Sequence, residues 1–534
     1  MRTAFHHLLR DAANAAPDNP ALTHKTETLT YRNLWQRTPP VAAGIAALGI
    51  GREERVAIFL EKRMETVLAM FAASVAGAVF VPINPLLRPA QVAYILANCD
   101  VRLLVTSSDR LAQLANALAG CPALEHVVLV DAGTPPAGRT LPWEVTHWAD
   151  LAAASPSMAQ VGDLDLAAIL YTSGSTGQPK GVVLNHRNLI VGAESVSEYL
   201  HNDRNDTILS ALPLSFDAGL SQITTAFSAG AHVVLHNYLL PQEVPALCAR
   251  HGVTGITGVP PLWIQLAEQN WPDEARQRLR YFANTGGRMP RSVLSRLRGL
   301  FPQAAPYLMY GLTEAFRSTY LDPGEVDRRP DSIGKAIPDA EILVVRPDGS
   351  PCGPGEEGEL VHRGALVAQG YWNDPARTAE RFRPVPGRRQ DWRLPEMAVF
   401  SGDIVKRDAE GFLYYVGRND EMIKTSGYRV SPTEIEEAAY ETGLVGDAVA
   451  LGIPDERLGQ RIVLIAAPPP ESSLDIAALL LAMRQSLPSY MVPAAVNMRQ
   501  AIPRSPNGKF DRALLRQELA GENAPGDQRV RAAG

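Results

Sequence analysis

Cysteine is scarce in this sequence, and its spacing excludes the common roles of paired cysteines. Only four cysteines occur among 534 residues: Cys99, Cys121, Cys248 and Cys352. Because no two of them form a C-x-x-C pair, the sequence indicates neither a zinc site nor a disulfide framework. Unpaired, widely spaced cysteines are typical of a reducing compartment, so we expect a cytoplasmic protein.

The sequence also lacks an excess of positive charge. Its formal net charge is −6 and its pI is about 6.0. Proteins whose main partner is a nucleic acid usually carry a basic stripe or patch. We therefore expect no nucleic-acid partner.

A long uninterrupted apolar segment is missing as well. The stretch from Val67 to Leu87 carries no charge and is long enough to cross a bilayer. Gly77, Pro82 and Pro85 interrupt it, however. We interpret it as a core helix that ends at Gly77, followed by a buried strand from Ala78 to Ile83, and predict no membrane span.

Helix and strand patterns alternate through most of the first half of the chain. Such alternation favours doubly wound parallel sheets, so we predict an α/β fold. From about residue 322 the pattern changes to short strands with turns, and a smaller α+β unit follows Gly417. The predicted organisation is a large N-terminal domain (1–417) with a β-rich subdomain (322–417), a small C-terminal domain (418–534) and a disordered tail (521–534). Residues 132–161 read as a surface connection.

A loop of glycines and hydroxyl residues follows the apolar run Leu166–Leu170. Glycines let backbone N–H groups approach an anion, the hydroxyls add donors, and Lys180 adds a positive charge, so the loop is typical of a phosphate cradle. It matches neither G-x-x-x-x-G-K-[ST] nor G-x-G-x-x-G. The candidate phosphate-binding residues are Thr172, Ser173, Gly174, Ser175, Thr176, Gly177 and Lys180.

The segment Tyr171–Gly181 closely resembles the signature loop of the adenylate-forming superfamily. That superfamily contains acyl-CoA synthetases, the amino-acid-activating domains of peptide synthetases, and luciferases. The resemblance extends in order from Leu29-Thr30-Tyr31 to Lys509. It implies an enzyme that joins a carboxylate to AMP and then transfers the acyl group to a thiol, with a small C-terminal domain that moves between the two steps.

Further motifs carry the same resemblance, and each implies a role. Tyr310-Gly311-Leu312-Thr313-Glu314 implies Tyr310 against the adenine, Thr313 on the α-phosphate and Glu314 as the Mg²⁺ ligand. The glycine pair of Asn284–Arg288 would line the adenine pocket, and the Asp of Ser401-Gly402-Asp403 would bind the ribose. The implied ATP-binding residues outside the loop are Gly286, Gly287, Arg288, Tyr310, Gly311, Asp403 and Arg418.

The last third of the chain contains the motifs for the moving domain. By resemblance, Asp420 is the hinge, and Lys424, Ser426 and Gly427 belong to the loop that lines the thiol tunnel. Lys509 resembles the catalytic lysine, which would bridge the substrate carboxylate and the α-phosphate as negative charge develops. Thr313 and Glu314 complete the implied catalytic set.

The segment Phe216-Asp217-Ala218 falls where the family lines its acyl pocket. It resembles amino-acid-activating domains, in which the Asp pairs with the α-amino group, and Arg317 falls at a pocket-facing position by the same resemblance. Asp217 and Arg317 would then recognise a polar or zwitterionic acid. Equally, the two residues can pair with each other or cap helices, because buried charges usually find partners.

We therefore expect an AMP-forming acid–thiol ligase that uses ATP, Mg²⁺ and coenzyme A on a small carboxylic acid. Residues 214–222, 310–321 and 327–338 most resemble stand-alone bacterial acyl-CoA ligases associated with exosortase systems. One alternative is an enzyme that loads an amino acid onto phosphopantetheine of a separate carrier protein. The others are a nucleotide-binding protein without catalysis and a kinase-like phosphotransferase, which would release ADP.

Overall fold

The computed structural model describes residues 1–133, 142–151, 159–172, 178–287, 289, 291–387, 392, 394–418, 423–430, 432–469, 473–503, 510 and 512–521. Within these ranges the strands form three sheets. In chain order they are β1 (Pro20–His24), β2 (Glu27–Thr30), β3 (Arg55–Ile58), β4 (Val79–Pro82), β5 (Val101–Thr106), β6 (His126–Leu129), β7 (Glu144–His147), β8 (Leu166–Thr172), β9 (Lys180–Asn185), β10 (Thr207–Ser210), β11 (His232–Leu235), β12 (Gly255–Gly258), β13 (Tyr281–Asn284), β14 (Ala305–Tyr310), β15 (Thr319–Leu321), β16 (Ser332–Ala336), β17 (Ala340–Val345), β18 (Glu357–Gly364), β19 (Gly370–Tyr371), β20 (Phe382–Pro384), β21 (Met397–Arg407), β22 (Leu413–Arg418), β23 (Ile423–Thr425), β24 (Tyr428–Val430), β25 (Asp447–Asp455), β26 (Gly459–Ala467) and β27 (Ala495–Met498).

Helices connect most of these strands, and short 3₁₀ turns lie among them. The α-helices are α1 (His7–Ala15), α2 (Tyr31–Ala47), α3 (Met64–Ala76), α4 (Pro89–Asn98), α5 (Ser108–Leu114), α6 (His186–Tyr199), α7 (Asp217–Ala229), α8 (Glu243–His251), α9 (Pro260–Ala267), α10 (Asp273–Arg278), α11 (Arg291–Leu300), α12 (Pro375–Arg381), α13 (Pro432–Glu441), α14 (Ile476–Ser486) and α15 (Arg512–Gly521). The 3₁₀ helices are Ala117–Gly120, Trp148–Leu151, Thr313–Ala315, Pro323–Glu325 and Ser489–Met491.

The largest sheet has 14 strands and runs in the order β17-β18-β21-β22-β16-β15-β14-β13-β12-β10-β11-β1-β2, with β20 paired to β21. Strands β10 to β14 are parallel where they pair with one another. The carboxyl ends of β10, β12, β13 and β14 therefore meet at one edge, which is where ligands bind in open α/β sheets. Most strands of the predicted β-rich subdomain continue this sheet, because β16 pairs with β15, and their status as a subdomain stays a prediction.

The second sheet has eight strands in the order β19-β9-β8-β4-β3-β5-β6-β7. Its strands are parallel from β8 to β7 and antiparallel at β8–β9 and β9–β19. The predicted doubly wound α/β class is thus confirmed. Strand β7 corrects the prediction that residues 132–161 are only a surface connection, since Glu144–His147 pairs in register with β6.

The uncharged stretch is buried in this part of the fold from Val67 to Ile83, and Leu86 near its end is exposed. All but one residue of α3 are buried, and the helix ends at Gly77, whose φ of +79° is left-handed. Strand β4 follows directly, as predicted. No helix within the described ranges is long and apolar enough to cross a membrane.

The third sheet has five strands, in the order β24-β23-β26-β25 with β27 paired to β26. Helices α13 and α14 pack on it around Ile435, Leu464 and Met483. This is the α+β arrangement predicted for the C-terminal unit. The domain boundary at 417/418 stays a prediction. Gly521 ends α15, and residues 522–534 of the predicted tail lie outside the described residues.

Candidate active site

The residues predicted to hold adenosine meet at the carboxyl edge of the 14-stranded sheet. Tyr310 is the last residue of β14, and its hydroxyl donates to Oδ2 of Asp403 on β21 at 2.5 Å. Both side chains are buried. Residues 93 positions apart in sequence are thus joined by a hydrogen bond to a carboxylate, the stronger kind of side-chain hydrogen bond.

The glycine pair follows β13 at the same edge. Gly286 has a φ of +74°, and a Cβ there would lie 3.3 Å from the Val259 side chain. At Gly287 a Cβ would approach the ring of Pro260 to 3.2 Å. A side chain at either position would press on Val259 or Pro260, so glycine suits both, and their bare backbone next to β14 is the predicted adenine shelf.

A buried three-residue contact joins the loop region to the Thr-Glu motif. The Tyr371 hydroxyl donates to Oε1 of Glu314 at 2.6 Å and accepts from Nζ of Lys180 at 2.8 Å. Lys180 Nζ also lies 3.4 Å from the same Glu314 oxygen and 4.1 Å from the centre of the Tyr371 ring. Antiparallel pairing of β19 with β9 places Tyr371 opposite Val182, close to Lys180.

The segment after β14 turns sharply, and this turn groups the polar residues. Phe316 is fully buried with φ +59° and ψ −65°, an unusual conformation for a residue with a Cβ. Gly311 lies under the turn, where a Cβ would be 3.0 Å from the Phe316 carbonyl oxygen. As a result Thr313, Glu314 and Arg317 all point into the interior.

Asp217 and Arg317 lie side by side, as one of the two expectations for them states. Nη1 of Arg317 is 3.7 Å from Oδ2 of Asp217 and donates to Thr285 Oγ1 at 2.9 Å. The Thr313 hydroxyl donates to Asp217 Oδ1 at 3.4 Å. Burial raises the pKa of Asp217, while the Arg317 charge and the Ala218 backbone N–H oppose that rise.

The chain between β10 and α7 carries Phe216, Asp217 and Ala218, and a buried lysine holds it in place. Lys62 Nζ donates to the carbonyl oxygens of Ala211 at 2.7 Å and Leu212 at 3.0 Å. Burial lowers the pKa of Lys62 to about 7. Phe216 precedes α7 and Asp217 begins it.

The hairpin β23–β24 reaches the same edge from the C-terminal sheet. Gly427 has a φ of +79°, and a Cβ there would lie 2.7 Å from the Val259 side chain. The Gly427 carbonyl oxygen would also be 3.6 Å from a Cβ on Gly286. Ser426 N–H donates to the Leu458 carbonyl, and Lys424 lies over the Tyr415 ring. The hairpin predicted to line a thiol tunnel therefore faces the predicted adenine shelf.

Several predicted residues cannot be placed in this way. Ser173, Gly174, Ser175, Thr176, Gly177, Arg288, Asp420 and Lys509 lie outside the described residues. Arg418 is placed by its backbone, which pairs in register with Asp403.

Two site residues have no signal in the sequence. Tyr371 is a single tyrosine in Gly-Tyr-Trp, and only the pairing of β19 with β9 brings it to Glu314. Lys62 lies 149 residues from the carbonyl of Ala211 that it binds. The pattern of charged and apolar residues in the sequence does not distinguish Tyr371 or Lys62 from ordinary surface residues.

The donor set suits a nucleotide phosphate chain with its metal. Thr172 Oγ1, at the end of β8 and opposite Lys180, is buried without a hydrogen-bond partner among the described residues. A free hydroxyl beside a lysine suits a phosphate oxygen, and the Glu314 carboxylate is the ligand type that Mg²⁺ prefers. No group of three or more metal-ligating side chains occurs in the described part of the chain, so the substrate would have to supply further ligands.

Comparison with known proteins agrees with this geometry. Residues 9–372 match the family model "AMP-binding enzyme", and residues 434–509 match "AMP-binding enzyme C-terminal domain". The chain is 30% identical to feruloyl-CoA synthase from Amycolatopsis sp, covering 95% of this chain and 97% of that protein. It is 29% identical to L-proline–[L-prolyl-carrier protein] ligase from Pseudomonas fluorescens, covering 97% of this chain and 99% of that protein.

Other relatives are much longer than this chain. It spans 7% of the length of malpinin synthetase from Mortierella alpina, at 29% identity over 96% of this chain. Among solved structures, the amide bond synthetase McbA from Marinactinospora thermotolerans superposes with a TM-score of 0.83, covering 97% of this chain and 99% of that one. At 22% identity this likeness shows the fold alone. Because the family model matches more than half of its length, the chain belongs to the AMP-binding enzyme family.

Proposed function

We propose that the protein is an AMP-forming acid–thiol ligase that makes acyl-CoA from a small carboxylic acid and ATP. The observation that carries the proposal is that two pairs of residues lie close together near the carboxyl end of β14. Tyr310, the last residue of β14, donates a hydrogen bond to Asp403, and Glu314 follows in the next turn and pairs with Lys180, which together supply charges of both signs. A kinase-like phosphotransferase would need only the second pair and a γ-phosphate acceptor.

In this proposal each residue acts at a stated place. Asp403 accepts hydrogen bonds from the ribose hydroxyls, and Tyr310 lies against the base. Lys180 and the Thr172 hydroxyl bind phosphate oxygens, and Thr313 donates to the α-phosphate. Glu314 would hold Mg²⁺, which neutralises phosphate charge when bound. The substrate carboxylate attacks the α-phosphorus and pyrophosphate leaves, with Lys509 stabilising the developing charge.

The second step is thiol transfer, and the position of the C-terminal hairpin supports it. Gly427 contacts Val259 and faces Gly286, so residues 424–427 lie against the nucleotide shelf. A thiol that reaches the acyl-adenylate between Val259 and the hairpin would take the acyl group and release AMP. We propose Asp420 as the hinge about which this hairpin leaves while Lys509 acts.

A second candidate is the loading of an amino acid onto a carrier protein. Asp217, at the start of α7, favours it, because a buried carboxylate can bind an ammonium group, and the match to L-proline–[L-prolyl-carrier protein] ligase covers 99% of that protein. Arg317 argues against it, since it already compensates the Asp217 charge. We therefore keep coenzyme A as the acceptor in the main proposal.

The test is pyrophosphate release from Mg·ATP with a panel of fatty, aryl, hydroxy and amino acids, with and without coenzyme A. Release that coenzyme A stimulates, with AMP and acyl-CoA formed in equal amounts, is the expected result. Release with one amino acid that coenzyme A leaves unchanged would support carrier loading instead. Formation of ADP would refute both versions.

A further inference from the structure

A narrow buried cavity lies beside Arg317, between α6, α7 and the strands β12 to β14. Its volume is about 10 Å³, which is room for about one water molecule. Val196, Ile208 and Met309 form an apolar wall. On the other side α7 presents Ser221 and Thr225, one turn apart, with their hydroxyl oxygens 3.3 Å from each other.

Arg317 lines this cavity with an unused hydrogen-bond donor. Its side chain is 3% exposed. Nη1 donates to Thr285, but Nε has no acceptor among the described residues. A buried guanidinium N–H without an acceptor is destabilising, so such groups normally bind an acceptor, which in this cavity is either a water molecule or a ligand atom that replaces it.

The charge at this position is already balanced. Asp217 lies 3.7 Å from Arg317 and is itself 6% exposed, so the two form a compact neutral unit in a dry environment. A ligand ammonium group would add a second cation beside one carboxylate, and a ligand carboxylate would add a second anion. Both would bury an uncompensated charge, whereas an uncharged oxygen would accept from Nε without changing the balance.

The size of the cavity sets a further limit. Space for one water molecule admits a hydroxyl or keto oxygen but not a methylene chain. The cavity beside Arg317 therefore has room for one substituent oxygen and not for a long acyl chain.

We propose that Arg317 determines specificity, and that it selects a short carboxylic acid bearing an uncharged hydroxyl or keto oxygen over the amino or unsubstituted acid of the same skeleton. The inference rests on the proposed function, and it names the substrate class of that same site. The substituent oxygen accepts from Arg317 Nε and lies against the Ser221 and Thr225 hydroxyls.

The experiment compares unsubstituted, hydroxy, oxo, amino and carboxy derivatives of propanoate and butanoate. The readout is kcat/KM for pyrophosphate release by the full-length protein. At least one hydroxy or oxo acid is expected to exceed its unsubstituted counterpart by tenfold or more, because a site built to bind an oxygen discriminates against analogues that lack it. The amino and carboxy derivatives are expected to be the poorest substrates.

Variants then assign the preference to Arg317. Arg317→Met keeps the length of the side chain and removes its donors, so the hydroxy-to-unsubstituted ratio should fall toward one. It also leaves the negative charge of Asp217 uncompensated. The kcat/KM for the amino acid should therefore rise at least tenfold relative to that for the hydroxy acid. In Asp217→Asn/Arg317→Met, the site stays neutral, and the oxygen preference should be lost without any gain for the amino acid.

Arg280→Met is the matched control, because Arg280 pairs with the buried Asp206 at the opposite, amino end of β10 and β13. It should lower Tm and leave the ratios between acids unchanged. The inference would be overturned if the ratio of kcat/KM between the hydroxy and the unsubstituted acid were the same in the wild type and in both Arg317 variants. A wild-type preference for an amino acid would overturn it as well. If no acid released pyrophosphate from the wild type, the proposed function itself would fail, and the inference with it.

Discussion

Tyr371→Phe removes a single oxygen atom from the middle of the Lys180–Glu314 pair and leaves the ring in place. The ring would still lie 4.1 Å from Lys180 Nζ and pack edge-on against Phe382. The lost hydroxyl makes hydrogen bonds of 2.6 and 2.8 Å to two charged groups. Hydrogen bonds to charged groups contribute about 1.5–3 kcal/mol. We therefore expect kcat/KM for pyrophosphate release to fall roughly 10- to 150-fold, at about 1.4 kcal/mol per factor of ten.

The assay is steady-state pyrophosphate release at saturating acid with varied Mg·ATP. Tyr31→Phe is the control, since its hydroxyl donates to the Ala231 carbonyl at 2.6 Å in the core and is also fully buried. It should lower Tm and leave kcat/KM within about twofold. If Tyr371→Phe and Tyr31→Phe changed kcat/KM equally, Tyr371 would be an ordinary core residue and the three-residue contact would have no role in ATP binding.

Three other changes test separate parts of the structure. Lys509→Ala should abolish adenylate formation and leave thioester formation from supplied acyl-AMP largely intact; equal loss of both would refute this division. Gly427→Ala puts a Cβ against Val259 at a left-handed φ, so thioester formation from acyl-AMP should slow at least tenfold while pyrophosphate release changes little. Burial lowers the pKa of His6 and of His362 from 6.5 to about 3, so the unfolded chain binds more protons below pH 6.5. Stability should therefore fall as pH drops from 6.5 toward 3, by about 2 kcal/mol per histidine at pH 5, and urea unfolding at pH 7.5 and 5 would measure it.

Local sequence patterns predicted the helices and strands whose ends are marked by nearby residues, such as a residue that caps a helix. The sequence predicts a strand at His232–Leu235 and a helix at Pro432–Glu441, and β11 and α13 have these bounds. Helix α6 begins after Asn185, which caps it by accepting from the Asn188 N–H. The sequence pattern predicts a helix from Arg37 to Leu48, whereas α2 begins at Tyr31, because Thr30 caps it and the tertiary fold tolerates Pro39 within it. Strand β7 was missed because its pairing with β6, and not its own pattern, makes it a strand.

The residues of the candidate site differ in the same way, because some lie in a local sequence motif and others depend on contacts made only in the folded protein. Tyr310 and Asp403 could be predicted as candidates because each belongs to a contiguous motif, and a motif can be recognised without knowing which residues contact it in the fold. Tyr371 and Lys62 act through partners 57 and 149 residues away, so only the register of the folded sheets could reveal them. The Asp217–Arg317 pair lies between these cases: both residues were candidates, but the choice between substrate recognition and mutual pairing depends on a distance.

The position of β1 in the large sheet has a consequence for how the chain is made. Leu22 pairs with Val233, and the Tyr31 hydroxyl reaches the Ala231 carbonyl 200 residues later. At about 5–20 residues per second, a ribosome therefore needs roughly 10–40 s after completing β1 to synthesise its partner strand, β11. During that time the hairpin β1–β2 exposes an unpaired edge and the side chains of Ala21 and Leu22, which are buried in the folded protein. The nascent chain is consequently most prone to aggregate in the first half of its synthesis, and a chaperone that shields this hairpin would improve its yield.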